Sequence, residues 1–272
     1  MLDQATRAAL IKAVQDAARA EVLPRFRSLT AAQVETKSSP TDLVTEADKA
    51  MEDRLRSAFE TILPGVAFVG EESIAEEPGL IDALTRGEEA VILDPIDGTW
   101  NFAHGLATFG TLLAISDSQG TVFGLLYDPV VDDWVWAERG GGTHHSNGAR
   151  FQTSPATSEK DLAGVIAFVA APETDIAHVA RLAPRFRAIT DNRASVFDYR
   201  LMAEGLLNFS VSRGLNPWDH AAGALALTEA GGTAHLTDGV PYTPRIRTGR
   251  MVAAGNAAAW DTVRAAFDPI LD

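Results

Sequence analysis

Ala90-Val91-Ile92-Leu93-Asp94-Pro95-Ile96-Asp97-Gly98-Thr99 runs four apolar residues directly into two carboxylates, a proline, a glycine and a threonine. A short apolar run bounded by turn residues reads as a buried strand. The stretch therefore predicts a strand over Ala90–Leu93 that delivers Asp94 and Asp97 at its C-terminal end. Proline fixes the backbone between the two acids, and a turn at that spacing aims both at one point. A helix starting at Gly98 and Thr99 presents unpaired backbone N–H groups, which attract anions. Hard oxygen ligands beside amide donors are the combination that binds a divalent cation and a phosphate together. Asp, Pro and Gly also build ordinary turns; the flanking strand and further acids elsewhere in the chain favour a site.

The first of those acids follow a second strand, Val66–Val69, which ends in Gly70-Glu71-Glu72. Two adjacent carboxylates there repel unless a cation or solvent intervenes. Pro217-Trp218-Asp219 opens a helix running to Ala230, placing Asp219 in a first turn that the helix dipole favours for an acid. The small residues Ala221 to Ala226 imply that this helix lies unusually close to its neighbours. Thr45 is an N-cap for a helix reaching Leu63, with Asp48 three positions on.

Around these points the chain divides into two regions. An amphipathic helix ends before Pro24, Lys37–Asp42 is a polar loop, and Phe109–Ala137 is an antiparallel meander. After about Ser154 strands and helices alternate: strands at Gly164–Val169, Phe186–Thr190, Leu207–Val211 and Met251–Ala254, helices at Glu173–Leu182, Val196–Glu204, Trp218–Ala230 and Ala257–Phe267. The expectation is an α+β region over residues 1–153 carrying most of the acids, joined to an α/β region over 154–272 that supplies Asp219. No low-complexity linker separates them, so they pack tightly.

Composition narrows the partners. The 272 residues carry 23 basic and 37 acidic side chains, a formal net charge of −14, which disfavours a nucleic-acid surface. With 46% hydrophobic residues the chain can bury a core, and with no cysteine it has neither disulfides nor thiolate metal sites, in keeping with a reducing cytoplasm. The longest apolar run, Leu162–Pro172, is too short to span a bilayer, and the polar residues among the first twenty leave no secretory h-region.

The three acidic segments, read as Gly70-Glu71-Glu72-Ser73, Asp94-Pro95-Ile96-Asp97-Gly98-Thr99 and Trp218-Asp219-His220-Ala221-Ala222-Gly223, resemble signatures of the inositol monophosphatase family of Mg²⁺-dependent, lithium-sensitive phosphatases. Asp42-Leu43-Val44-Thr45-Glu46-Ala47-Asp48 and Thr228-Glu229-Ala230-Gly231-Gly232 extend the likeness over most of the chain in the same order. The resemblance implies a layered αβαβα sandwich of the inositol monophosphatase / fructose-1,6-bisphosphatase type. By resemblance, Glu71, Asp94 and the Ile96 carbonyl hold one Mg²⁺ and Asp94, Asp97 and Asp219 a second, with a third ion near Glu71. Asp48 and Thr99 orient the attacking water and are counted with Glu71 as catalytic; Asp97, Gly98, Thr99, Ser195, Ser212, Arg213 and Asp219 contact substrate. Two or three divalent ions reverse the local sign of an acidic site and admit a phosphate ester. In-line attack by water without a phosphoenzyme is expected. The family also implies a cytoplasmic homodimer acting on a small phosphorylated metabolite.

Substrate choice is less sharply marked. Inositol-hydrolysing members typically carry Glu seven residues before the metal-binding Asp, and here that position is Ser212, followed by Arg213. A small Gly-Ser-Ala-type stretch is replaced by Arg193-Ala194-Ser195. Inositol 1-phosphate is the family default; histidinol phosphate, fructose 1,6-bisphosphate and a 3′-phosphonucleotide stay open, as does a regulatory binding protein on the same fold. The adjacent His144 and His145 point to opposite faces of a strand and cannot easily share an ion, and Trp134 and Trp136 read as one apolar strand face. For His220, packing near the site and contact with substrate are both open readings.

Overall fold

Asp3 caps the first helix, α1 (Gln4–Ala17), its carboxylate accepting the Thr6 N–H at 2.8 Å. A wider helical turn, Ala18–Val22, carries the chain to Pro24, where the sequence predicts the end. These elements belong to a computed structural model that describes residues 2–37, 39, 42–166 and 173–271, without the side chains of 173–175 and 268–271. The expected strand beyond Ile166 and parts of the 37–42 loop fall outside the described residues.

A two-stranded ribbon, β1 (Val34–Thr36) and β2 (Leu43–Thr45), runs into α2 (Glu46–Ile62), capped by Thr45 as expected. Next come β3 (Ala67–Gly70), the short helices α3 (Glu71–Glu76) and α4 (Asp82–Arg86), β4 (Ala90–Asp97) and one more short helix, α5 (Thr99–Ala103). The predicted meander forms as β5 (Gly110–Asp117), β6 (Gly120–Asp128) and β7 (Asp133–Glu138), and a further strand, β8 (Gly142–His145), extends it past the expected end. The six strands β3 to β8 make one sheet in sequence order, parallel between β3 and β4 and antiparallel elsewhere.

The second region begins with β9 (Ala163–Ile166), α6 (Glu173–Leu182), β10 (Ala188–Thr190), α7 (Ser195–Ala203) and β11 (Phe209–Ser212). It ends with α8 (Pro217–Glu229), β12 (Thr233–Leu236), β13 (Met251–Ala254) and α9 (Ala257–Leu271). Its sheet has the order β10-β9-β11-β13-β12. Helical crossovers keep β9, β10 and β11 parallel, but β12, which periodicity did not reveal, returns to β13 without a helix and pairs antiparallel.

Alternate residues of both sheets face different cores, the period of two that a strand imposes. Val91 and Leu93 meet Leu10, Met51 and Phe59 of α1 and α2, whereas Ile92 meets Tyr199, Leu225 and Ala226 of α7 and α8. Met251 and Ala253 share that second core; Val252 and Ala254 face Val179, Val263 and Phe267 of α6 and α9. The layers are therefore α1/α2, six-stranded sheet, α7/α8, five-stranded sheet and α6/α9, the expected αβαβα sandwich. Small residues let α8 enter the middle layer: a Cβ on Gly223 lies 2.1 Å from the Tyr199 ring, and one on Gly124 of β6 lies 2.7 Å from the Ala222 carbonyl oxygen.

Candidate active site

Parallel pairing puts Gly70 opposite Leu93, so the chain leaves β3 at Glu71 beside the point where β4 reaches Asp94. The acidic pair does not lie in a solvated loop. It opens α3, and a residue that the sequence did not single out fixes it there. The buried Glu52 of α2 accepts the backbone N–H groups of Glu72 at 2.9 Å and Ser73 at 2.8 Å, together with the Ser73 hydroxyl. Gly70 is required by this contact, because a Cβ would stand 2.4 Å from the Glu52 carboxyl carbon. The only sequence signal for Glu52 is its place one turn after Asp48 on the same helix face.

Asp94-Pro95-Ile96-Asp97 is not the turn expected from its composition. β4 continues through it, and its register against β5 slips, with Asp94 opposite Leu112 but Asp97 opposite Gly110. One extra residue on β4 accounts for the slip. Acids three apart on a regular strand face opposite sides; a bulge resets the phase and turns both to one side. The turn comes one residue later, at Gly98, with φ +87° and no room for a side chain beside Ala194 and the Thr108 carbonyl. Asp97 is tied to the start of α7, its Oδ2 accepting the Val196 N–H at 2.5 Å. Asp219 enters from α8, held by the Asn216 amide at 3.1 Å. Carboxylate oxygens of Asp94, Asp97 and Asp219 come within 4.8 Å of one another.

These acids line a cavity of about 270 Å³ together with Glu71, Ile96, Gly98, Thr99 and Ser195. Asp48 is fully buried behind Thr99, whose hydroxyl lies 2.9 Å from the Ile96 carbonyl oxygen and 3.2 Å from Asp48 Oδ1. The other Asp48 oxygen accepts the Thr45 N–H at 2.8 Å and the Thr45 hydroxyl at 2.5 Å, so its rotamer is fixed by the cap of α2. Ser212 and Arg213 are not among the lining residues. Ser212 closes β11, the middle strand of its sheet, opposite Met251 of β13. Arg193 and Trp100 do line it. His220 is buried, with Nδ1 2.9 Å from the Tyr199 hydroxyl and Nε2 2.9 Å from the Gly214 carbonyl oxygen. A carbonyl only accepts, so Nε2 carries the proton and Nδ1 accepts from Tyr199.

Burial and mutual repulsion dominate the electrostatics. Burial, then Glu71 and the other acids, pushes the Asp94 carboxyl well above its usual range; burial does the same to Asp97 against the N–H groups at the start of α7. Burial raises Asp48 to about 7 and Asp219 to about 6, and Glu71 also moves up. Lys37 comes from the polar segment after β1. Its ammonium lies 2.8 Å from Glu71 and 2.7 Å from Glu72, the one strong local counter-charge on these two acids among the described residues. Asp94 Oδ1 is buried without a hydrogen-bond partner among the described residues. An orphaned carboxylate oxygen amid acids that resist ionisation fits a hard divalent cation, which satisfies the oxygen and offsets the repulsion together.

Residues 2–268 match the inositol monophosphatase family. A fructose-1,6-bisphosphatase/inositol-1-monophosphatase from Thermotoga maritima is 30% identical over 199 residues, 73% of each chain. A Nus factor SuhB from Vibrio cholerae is 32% identical over 226 residues, 80% of each chain. The solved structure of an IMPase from Thermotoga maritima superposes with a TM-score of 0.81 at 25% identity, covering 96% of this chain and 95% of that one. With the acids in their expected order and the layers in their expected stack, this chain belongs to the inositol monophosphatase family.

Proposed function

We propose that the protein hydrolyses a small phosphate ester by Mg²⁺-assisted attack of water, with inositol 1-phosphate as the default substrate. Phosphoric monoester hydrolysis is the activity of its family, whose members depend on Mg²⁺. The observation that carries the reading is the orphaned Asp94 oxygen in the Asp94–Asp97–Asp219 cluster, beside the Thr99–Asp48 pair. Glu71, Asp94, the Ile96 carbonyl, Asp97 and Asp219 are the groups that would hold two to three ions. Bound there, Mg²⁺ supplies the positive charge that attracts the phosphate and acidifies the attacking water.

The chain's own residues supply the rest. Thr99 Oγ1 donates its hydrogen to Asp48 Oδ1 or to the Ile96 carbonyl, leaving a lone pair to accept from water in the cavity. With its carboxyl raised to about 7, Asp48 is suited to taking up a proton through that hydroxyl near neutral pH. Gly98 and Thr99 offer backbone N–H groups to phosphate oxygens, and Ser195 lines the leaving-group side. The family resemblance adds a cytoplasmic homodimer. A second reading, a regulatory binding protein, is suggested by the relative named as Nus factor SuhB; the water-orienting pair, which a binder does not need, favours the enzyme.

Phosphate release with Mg²⁺ from inositol 1-phosphate, histidinol phosphate, fructose 1,6-bisphosphate and a 3′-phosphonucleotide tests the proposal. Metal-dependent release from at least one is expected. Capture of a specific protein partner with no release from any would replace the enzymatic reading by the regulatory one.

A further inference from the structure

We propose that Arg193 is an anion-binding arm of the cavity, and that the preferred substrates carry a second anionic group besides the phosphate that is cleaved. This rests on the phosphatase reading above and adds the substrate class to it. Among the described residues lining the cavity Arg193 is the only cation. Its guanidinium carbon lies 3.9 Å from the centroid of the Trp100 ring, and Trp100 stacks in turn on His104 at 4.0 Å. A guanidinium held over an indole face spends none of its N–H donors on that contact, and those donors match the two oxygens of a phosphate or carboxylate. Its side chain makes no hydrogen bond or ion pair with any described residue.

The backbone holds the arm in place at a cost. Arg193 has φ +52°, a conformation that suits glycine and strains a side chain. Asp191 clamps it there, accepting the Arg193 N–H at 2.9 Å, and the Asn192 carbonyl accepts the Asn101 amide at 2.9 Å. Asp198, the other nearby acid of the wall, accepts from the Asn192 amide at 2.7 Å. Neither acid reaches the guanidinium as an ion pair. A strained, clamped and unpaired arginine facing the cavity is a fixed receptor for an oxyanion, whereas a ring hydroxyl needs no such charge.

The test compares R193G, in which glycine relieves the strain and keeps the fold, with R193K and the wild type. The ratio of kcat/KM for fructose 1,6-bisphosphate over inositol 1-phosphate is expected to fall about 10- to 100-fold in R193G, the scale of a hydrogen-bonded ion pair, and less in R193K. 2-Phosphoglycerate against glycerol 2-phosphate tells a carboxylate from a second phosphate. A ratio unchanged within about twofold in R193G, or a wild-type preference for an amine-bearing ester such as histidinol phosphate, overturns the proposal. Calorimetric affinities of the same ligands read the ratio without turnover. They separate failure of this arm from failure of the phosphatase reading, which would show as no phosphate release from any ester.

Discussion

Thr99 Oγ1 lies 3.2 Å from Asp48 Oδ1, although the residues are 51 positions apart, one following the bulged strand and the other in the first turn of α2. Removing the hydroxyl should leave the metal ligands in place and misalign the water. T99A is expected to lower kcat by about 10²-fold or more, the usual scale for a positioned proton acceptor, with little change in the Mg²⁺ half-saturation. Steady-state kinetics over a Mg²⁺ titration checks both halves; a loss confined to Mg²⁺ affinity would contradict the assignment.

Asp94 stands between the other acids and, among the described residues, has no partner for one oxygen. D94N keeps the shape and removes the charge. It should nearly abolish turnover and shrink the Mg²⁺-induced rise in Tm, while the metal-free protein melts at or above the wild-type temperature because repulsion among the acids is relieved. Wild-type activity in D94N would refute its role.

The raised carboxyls set a pH slope. A folded carboxyl whose pKa exceeds its unfolded value binds more protons folded than unfolded, so stability falls as pH rises between the two values. For Asp219, at about 6, and Asp48, at about 7, that window runs from near pH 4 to near pH 7. His220, lowered by burial to about 4, acts oppositely between pH 4 and 6.5 but is a single group. The chelated protein should therefore melt at a lower temperature at pH 8 than at pH 5.5. Mg²⁺, which needs the ionised acids, should bind more tightly and raise Tm more at pH 8. A calorimetric scan with and without chelator at both values checks the sign.

Glu52 never reaches the cavity, yet it holds two backbone N–H groups of α3 in place. E52A leaves those donors buried and unpaired and should cost about 2–4 kcal/mol of stability. It should also weaken Mg²⁺ binding, because Glu71 loses its fixed position. E52Q, which keeps acceptor oxygen, should recover part of both in denaturant melts and Mg²⁺ titrations.

Gly223 faces the Tyr199 ring with no space for a methyl group. G223A should destabilise by about 1–3 kcal/mol through overpacking and displace Asp219 four residues earlier on α8. A fall in Tm together with weaker Mg²⁺ dependence is the expected pair of results.

The acids at strand ends were legible because an apolar run followed at once by carboxylates is a local pattern, and most strands and helices were legible because period-two and period-3.6 patterns alternate along the chain; the stacking of five layers came from the family resemblance. What the sequence left hidden depends on contacts across it. The bulge that brings Asp94 and Asp97 to one face looks like a turn in composition, since Pro and Gly mark either. Lys37 and Glu52 owe their roles to partners about twenty or more residues away that no local spacing reveals. β12 is four residues long with only one of them buried, too little for periodicity to register.

The central helical layer has a consequence for how the chain can be divided. α8 is roofed by one sheet and floored by the other, so residues 1–153 made alone would expose a broad greasy sheet face, and residues 154–272 alone would leave a naked Ala- and Leu-rich rod. Neither piece is a self-sufficient unit, and the last carboxylate of the cluster arrives only when the second piece docks. Two fragments cut near Ser154 would accordingly be insoluble apart and soluble together, and hydrolysis regained on mixing them would report reassembly of the interior.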